Sequence, residues 1–471
     1  MRSVARAFWI RVDFAAIASH TARMTEQMLR RGVAMWLCMV TWSGALAAAE
    51  ERPKPRDVTA IAEAYAHLVL AMGQHDPDYV DAFYGPAEWK TRAAEQKKPL
   101  TAIREEAMQL FEQLVELPLP ENELEQLRLA YLSKQLGALE ARVRIVQGER
   151  LKFDDETRAL YDAVAPTHPE SHFQEIVAKL ESKLPGEGPL TQRYAEWRKR
   201  FIIPKEKLDA VFQLAIKECR ARTAAHLQLP PNESFKVEYV TGKSWSGYNW
   251  YQGDYRSLIQ VNTDLPVYVD RAVDLAAHEG YPGHHVYNVL LEKNLVRDRG
   301  WKEFTVYALF SPQSLIAEGT ANYGKQVVFT KAERMKFEKE VIFPAAGLDP
   351  KLADEYYAVL EMTEDLSYAG NEASRKLING EIEGKAAAEW LEKYALMEPA
   401  RAQQRLKFIE QYRSYVINYN LGEDMAREYV EAEVARRAPK DADERARFKT
   451  RWQVFQELLS SPRLPSGLRR R

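Results

Sequence analysis

Three of the nine histidines of this 471-residue chain fall within eight positions, in His278-Glu279-Gly280-Tyr281-Pro282-Gly283-His284-His285. A His-Glu pair with a further His on the next turn is the zincin arrangement. In that arrangement imidazoles hold zinc and the Glu accepts a proton from water that the metal activates. We therefore predict a zinc site with Glu279 as general base. The alternatives are a polar cluster without metal, or a site that has lost its metal.

The spacing of the histidines differs from the usual form, in which the second His falls four residues after the first. On a regular helix His284 would lie ~9 Å along the axis and ~240° round from His278, a poor geometry for one ion. Pro282 and Gly283 cannot continue a regular helix. This break could return either His284 or His285 to His278. We favour His284 as the second ligand and keep His285 as the alternative.

A three-ligand site needs one more donor, and Glu318 is the best candidate. Ser311 suits an N-cap and Pro312 the first helical position, which places Glu318 well inside a helix. The neighbours of Glu318 are apolar, so its carboxylate would be costly there without a partner. Asn322, one turn later, shares its face and could hydrogen-bond a ligating imidazole. A buried ion pair is the alternative role for Glu318.

Hydrolysis at such a site also requires a donor that stabilises the oxyanion. Tyr419, Tyr415, Tyr323 and the histidine that binds no metal, His285 in the favoured assignment, are all chemically able. Aromatic residues at helical spacing are more often core residues, which is the alternative for each tyrosine. Asp274, one turn before the first histidine, could orient that ring or simply belong to a solvated helix face.

The rest of the chain predicts a mainly α fold. Apolar residues recur at helical spacing in four regions, 58–72, 124–146, about 192–224, and several segments from 331 to the C-terminus. Asp264 and Pro266 are start signals for the helix that leads into His278.

Two segments just before the metal motif, about 234–240 and 256–262, predict short strands of a small β-sheet next to the site. The glycine- and tryptophan-rich stretch 242–253 between them is interpreted as a turn. Such strands could bind an extended peptide by strand addition. The aromatic residues of this stretch could either pack in the core or wall a pocket; they include Trp245, Trp250 and Tyr251.

The N-terminal residues have the pattern of a secretory signal, because Arg30-Arg31 precedes an apolar stretch that ends in Ala47-Ala48-Ala49. We predict that residues 1–49 are an N-terminal extension and signal peptide, with a true start at Met24 or Met28. The mature protein would be exported, periplasmic or extracellular, with no stable membrane span. An uncleaved membrane anchor is the alternative.

Residues 50–56 are predicted to be a linker, and residues 57–471 a single large, mostly helical catalytic domain. Its N-terminal helical part extends to about residue 225, and the metal site lies in 226–330. Basic and acidic residues nearly balance, 66 against 68. This balance argues against a nucleic-acid groove. After signal cleavage only Cys219 remains, so the core rather than a disulfide must stabilise the fold.

The motif at 278–285 resembles the signature of a bacterial family catalogued as domain of unknown function eight-eight-five. The resemblance covers nearly all of the mature chain and includes four further segments: Glu318-Gly319-x-Ala321-x-Tyr323, Val261-Asn262-Thr263, Phe83-Tyr84-Gly85-Pro86-x-Glu88-Trp89 and Tyr419-x-x-Gly422. It implies a mostly helical gluzincin-like fold related to zinc carboxypeptidases and oligopeptidases. It also makes Tyr419 the leading transition-state donor. The chain departs from the family pattern at positions that flank the site: Gly280, Thr320 and Gly324-Lys325.

Together these features predict a zinc hydrolase of peptide or related amide bonds, with His278, His284 and Glu318 as metal ligands. One alternative is a zinc amidase that acts on a non-peptide or cell-wall amide. The other is a binding protein that keeps the scaffold without catalysis.

Overall fold

Helix dominates the residues that the computed structural model describes, 57–439 and 441–469. The α-helices are α1 (Val58–Met72), α2 (Ala87–Gln96), α3 (Leu100–Glu116), α4 (Glu123–Val146), α5 (Phe153–Tyr161), α6 (Glu170–Glu181), α7 (Leu190–Lys199), α8 (Leu208–Ala224), α9 (Asp270–Leu275), α10 (His284–Leu291), α11 (Pro312–Val328), α12 (Lys331–Phe337), α13 (Phe343–Ala346), α14 (Ala353–Glu364), α15 (Ala369–Ile378), α16 (Gly384–Tyr394), α17 (Pro399–Tyr412), α18 (Ile417–Arg437), α19 (Glu444–Leu459) and α20 (Pro465–Leu468). The predicted mainly α class is confirmed.

Shorter helical segments of other types connect these elements. The π-helical segments are Ala276–Gly280, Glu292–Arg297 and Glu338–Ile342. The 3-10 segments are Lys205–Lys207, Lys302–Thr305, Pro350–Leu352 and Arg413–Val416. All described residues belong to one compact unit. The predicted signal peptide and linker lie outside the described residues.

The helix ends follow local capping chemistry where the sequence supplies it. The Asp57 carboxylate accepts from the Ala60 amide at 2.8 Å at the start of α1, and Asn122 caps α4. The expected start signal at Asp264 is wrong. The carboxylate of Asp264 instead accepts from the Gly242 amide at 2.7 Å, and α9 begins only at Asp270. Asp264 therefore holds the loop that contains Gly242.

The strands form two small sheets. β2 (Ser234–Val240) and β4 (Arg256–Asn262) have the predicted bounds and pair in parallel. The turn expected between them is wrong, since β3 (Gly247–Gly253) pairs antiparallel with β4. Side chains of β3 alternate between buried and exposed, as a strand requires. The second sheet pairs β1 (Val80–Phe83) with β5 (Val306–Ala308).

Helices α11 and α18 cross at a point where each helix has a glycine, Gly319 in α11 and Gly422 in α18. A Cβ atom added at Gly319 would lie 2.3 Å from the carbonyl carbon and oxygen of Gly422. The two backbones can therefore approach this closely only because neither residue has a side chain. This close approach places the residues just before and at the start of α18 beside the inward face of α11. The crossing accounts for the glycine in each of the segments Glu318-Gly319 and Tyr419-x-x-Gly422.

Gly319→Ala is expected to lower the free energy of unfolding by about 1–3 kcal/mol, because the methyl group would overlap the Gly422 backbone. Gly137→Ala is the matched control, since Gly137 is an exposed interior residue of α4 whose Cβ would meet no atom within 4 Å. That control is expected to raise stability by up to about 1 kcal/mol. Urea unfolding of both variants measures the difference, and equal midpoints would contradict the close crossing.

Candidate metal centre

The break in the histidine motif folds the chain back on itself. His278 and Glu279 lie in the π-helical segment Ala276–Gly280, and His284 is the first residue of α10. At Gly283 an added Cβ would lie 1.8 Å from the carbonyl oxygen of His278, so only glycine fits. The amide of Gly283 donates to the Ala277 carbonyl at 2.9 Å. Gly283 therefore allows the chain to turn back so that His284 approaches His278, which a regular helix would not allow.

Three side-chain atoms converge at this point. His278 Nε2 lies 3.1 Å from His284 Nε2 and 3.2 Å from Glu318 Oε2, and His284 Nε2 lies 3.5 Å from the same oxygen. In a tetrahedral zinc site with ligand atoms about 2.1 Å from the metal, the ligand atoms are about 3.4 Å apart. The three separations match the edges of such a tetrahedron. The structure thus brings together the three predicted ligands.

Glu318 is held as a metal ligand would be. The hydroxyl of Tyr415 donates to Oε1 at 2.8 Å, whereas Oε2 is buried and accepts no hydrogen bond. A buried carboxylate oxygen without a partner is costly, and this one points at two imidazole nitrogens. Ser311 and Pro312 occupy the N-cap and first helical positions of α11, as predicted. The Ser311 hydroxyl, however, donates to the Ala308 carbonyl instead of capping α11.

Asn322 orients the first histidine. Its Oδ1 lies 3.0 Å from His278 Nδ1, while its amide nitrogen donates to the Tyr419 carbonyl at 3.0 Å. Because the amide nitrogen is used, Oδ1 accepts the Nδ1–H of His278 and leaves the Nε2 lone pair for a metal. The orienting role considered for Asp274 is wrong, since its carboxylate pairs with Arg334 at 2.9 Å.

Asn322→Ala is expected to weaken zinc binding by about 10- to 100-fold, because the His278 ring loses the acceptor that fixes its tautomer. Competition with a zinc-sensitive dye measures the affinity. Asn288→Ala is the control, since among the described residues its side-chain amide donates only to the backbone oxygen of His284, at 3.0 Å. Equal affinities of the two variants would contradict the orienting role.

His285 points away from the cluster. Its Nε2 lies 2.9 Å from Glu233 Oε2, and its Nδ1 lies 2.9 Å from the Ser257 hydroxyl. The hydroxyl of Tyr281 donates to the same oxygen of Glu233 at 2.5 Å. Since both ring nitrogens of His285 are engaged in a fully buried network, the position argues against the predicted catalytic role. His285 instead joins α10 to the sheet.

The carboxylate of Glu279 lies at the edge of the cluster. Its Oε1 is 4.0 Å from His278 Nε2, and a Cβ at Gly247 would lie 2.7 Å from the same oxygen. Gly247 in β3 therefore leaves room for the carboxylate. Burial raises the pKa of Glu279, and the Glu318 charge adds to that effect against the opposing influence of the histidines. A raised pKa suits a group that accepts a proton and returns it.

A further carboxylate, Asp81 in β1, was missed by sequence reasoning. The hydroxyl of Tyr248 donates to it. Burial and the Glu318 and Glu279 charges raise the pKa of Asp81 to about 6, against the opposing effects of Tyr248 and His284. The one sequence signal for Asp81 is its position just before the Phe83-Tyr84-Gly85-Pro86 segment. Local sequence could not place Asp81 at the site, because β1 pairs with the distant strand β5.

His284 lies in a strongly negative environment. Burial alone would lower the pKa of its imidazole, but the Glu318, Glu279 and Asp81 carboxylates raise it to about 9. The cluster therefore favours a positive charge at this point. A metal cation supplies that charge without a proton, which agrees with the fit of the three ligand atoms.

The three tyrosines considered as oxyanion donors differ in whether their hydroxyl groups already have partners. Tyr415 is engaged with Glu318, and the Tyr323 hydroxyl donates to Glu431 at 2.6 Å, away from the cluster. The Tyr419 hydroxyl makes no hydrogen bond to any described residue, and its ring lies edge-on to Tyr415 with centroids 5.8 Å apart. Burial and then the Glu318 charge raise its pKa, which keeps it protonated as a donor.

A cleft of about 700 Å³ is lined in part by Tyr248, whose hydroxyl donates to Asp81. Trp245 and Trp250 line this cleft, so the pocket-wall alternative holds for both. Tyr251 is buried instead, and its hydroxyl donates to Glu292 at 2.5 Å. The cleft therefore has an aromatic wall.

No helix in residues 57–439 or 441–469 is long and apolar enough to cross a membrane.

No family model matches the chain, and no curated protein matches it. Two solved structures named "putative lipoprotein" are similar in shape. The one from Colwellia psychrerythraea has 14% identity and a TM-score of 0.46 over 78% of this chain and 71% of that chain. The one from Shewanella oneidensis, of unknown function, has 13% identity and a TM-score of 0.37 over 85% of this chain and 82% of that chain.

A third solved structure, named BsuCP, has 11% identity and a TM-score of 0.45 over 86% of this chain and 89% of that chain. Likenesses this distant carry no argument about activity. The family resemblance and the gluzincin-like relation therefore remain predictions, and the proposed function depends on the site itself.

Proposed function

We propose that this chain is a zinc-dependent hydrolase that cleaves peptide or related amide bonds. The observation that carries the proposal is the convergence of His278, His284 and Glu318 within 3.1–3.5 Å, with the Glu279 carboxylate beside them. Two imidazoles and one carboxylate form one of the donor sets of catalytic zinc sites, which leave a coordination position open.

His278, His284 and Glu318 would hold the zinc ion, which would supply Lewis-acid chemistry by polarising a carbonyl oxygen and making water a stronger acid. Glu279 accepts the proton of the attacking water and delivers it to the leaving nitrogen. Its raised pKa and its position at the edge of the cluster support both steps. Tyr419 donates its free hydroxyl to the oxygen of the scissile carbonyl. Tyr415 and Asn322 hold Glu318 and His278 in place.

The cleft lined by Trp245 and Trp250 is the proposed path of the substrate. We also propose that the protein is exported, in the periplasm or outside the cell, because the N-terminal sequence has the pattern of a secretory signal.

A chelator experiment tests the proposed activity. The purified protein is incubated with a mixed peptide library, and cleavage products are identified by mass spectrometry. Removal of metal with 1,10-phenanthroline is expected to abolish cleavage, and one equivalent of zinc to restore it. Cleavage that survives complete metal removal would contradict the proposal. Zinc binding without cleavage of any peptide would favour the binding protein.

A further inference from the structure

The junction between α17 and α18 carries Tyr415 and leads directly into Tyr419. It is the 3-10 segment Arg413–Val416, and the hydroxyl of its Tyr415 donates to Glu318 Oε1 at 2.8 Å. Tyr419, the proposed oxyanion donor, follows in the first turn of α18. The path of the backbone through this junction therefore determines where both tyrosines lie.

The junction begins with a strained residue. Arg413 has a φ of 53° and a ψ of −121°, a positive-φ conformation that glycine adopts freely and that a residue with a side chain adopts only at a cost. Such a conformation persists only where surrounding contacts enforce it. Some group must therefore hold Arg413 in place.

Glu156 of α5 supplies those contacts. Its Oε2 accepts from Arg413 Nε at 2.8 Å and lies 2.7 Å from Nη2 of the same guanidinium. Its Oε1 accepts from the Ser414 hydroxyl at 2.6 Å and from the Ser414 amide at 3.2 Å. Glu156 is buried, so its charge is stabilised only while these donors surround it. One carboxylate thus fixes two successive residues of the junction.

Helix α5 also supports the next residue. The ring of Tyr161 packs edge-on against that of Tyr415, with centroids 6.0 Å apart. An ion pair that only joined α5 to the core would not require an unfavourable backbone at Arg413. The strain instead accompanies a precise position of Tyr415, the residue that binds one oxygen of Glu318 and leaves the other oxygen free.

We propose that Glu156 is a positioning residue for the metal centre. By holding Arg413 and Ser414 in the strained turn, it keeps the Tyr415 hydroxyl on Glu318 Oε1, so that Oε2 is directed at the two imidazoles. This inference rests on the proposed function and deepens it, because it makes the geometry of one metal ligand depend on a carboxylate of a distant helix.

A double-mutant cycle on zinc affinity tests whether Glu156 acts through Tyr415. Glu156→Gln and Tyr415→Phe are each expected to weaken zinc binding by about 10-fold, as removal of a residue that orients a ligand does. The double variant is expected to lose no more than either single variant, whereas independent effects would multiply to about 100-fold. Competition with a zinc-sensitive dye measures all four proteins. Multiplying effects, or unchanged affinity in Glu156→Gln, would overturn the inference.

Glu433→Gln is the matched control for a general loss of stability. Glu433 is also buried and pairs with Arg436 and Arg437, but it lies about 21 Å along the axis of α18 from Tyr419. Glu433→Gln is expected to lower the urea midpoint while zinc affinity stays within about two-fold. A loss of zinc affinity equal to that of Glu156→Gln would show that both act through stability alone, against the inference.

Two substitutions of Arg413 separate strain from folding and decide the question if Glu156→Gln does not fold. Both remove the guanidinium, but only glycine adopts the backbone of the junction without cost. Arg413→Gly is expected to keep zinc affinity within about two-fold, and Arg413→Ala to lose about 10-fold. Equal affinities would overturn the inference while leaving the proposed function intact. A folded native protein that binds no zinc would overturn both, whereas zinc binding without hydrolysis would overturn only the proposed activity.

Discussion

Glu279→Gln is expected to lower kcat by about 1,000-fold while zinc remains bound, which is the size of effect that loss of a general base produces. The amide keeps the shape of the side chain but cannot accept a proton. Because Glu279 Oε1 lies 4.0 Å from His278 Nε2 and outside the set of three converging ligand atoms, the metal site should persist. Steady-state kinetics and zinc content of the same preparation measure the two effects separately.

The control for this variant is Glu112→Gln, which changes an exposed glutamate of α3 and should leave kcat within about two-fold. Retained activity of Glu279→Gln would remove Glu279 as the base. Loss of zinc along with activity would instead assign Glu279 to the metal ligands.

The second large effect distinguishes two adjacent histidines. His284→Asn is expected to weaken zinc binding by roughly 100- to 1,000-fold, because a structural zinc site gains about 10–16 kcal/mol from four ligands. His285→Asn is expected to retain zinc but to lower the free energy of unfolding by about 1–3 kcal/mol, since buried Glu233 loses a hydrogen-bond partner. Competitive chelation and urea unfolding of both variants measure these effects.

These two substitutions control for each other, because they are chemically identical and one residue apart. Zinc loss in His285→Asn with zinc retained in His284→Asn would reverse the assignment of the second ligand.

Much of the candidate site could be predicted from the local sequence. The helical position of Glu318 follows from Ser311-Pro312, and its apolar neighbours already required a partner for the carboxylate. Asn322, one turn later, reaches the His278 ring as predicted. Periodicity also gave the bounds of β2 and β4. In each case the sequence signal, a helix start, a four-residue spacing or an alternation of side chains, lies within one element.

Other features depend on contacts between distant segments. Whether His284 or His285 faces His278 depends on how Gly283 packs against the π-helical segment, which no periodicity encodes. Tryptophan and glycine in β3 suggested a turn because only pairing with β4 reveals the strand. Asp81 reaches the site through the pairing of β1 with β5, more than 200 residues apart in sequence.

X-ray absorption spectroscopy at the zinc edge of the purified native protein tests the central claim most directly, that His278, His284 and Glu318 hold one zinc ion. The account predicts about one equivalent of zinc whose ligands are two imidazole nitrogens and oxygen donors at about 2.0–2.2 Å, with the signal of one imidazole lost in His284→Asn. A folded protein that binds no zinc, or zinc whose ligand set is unchanged in His284→Asn, would contradict it.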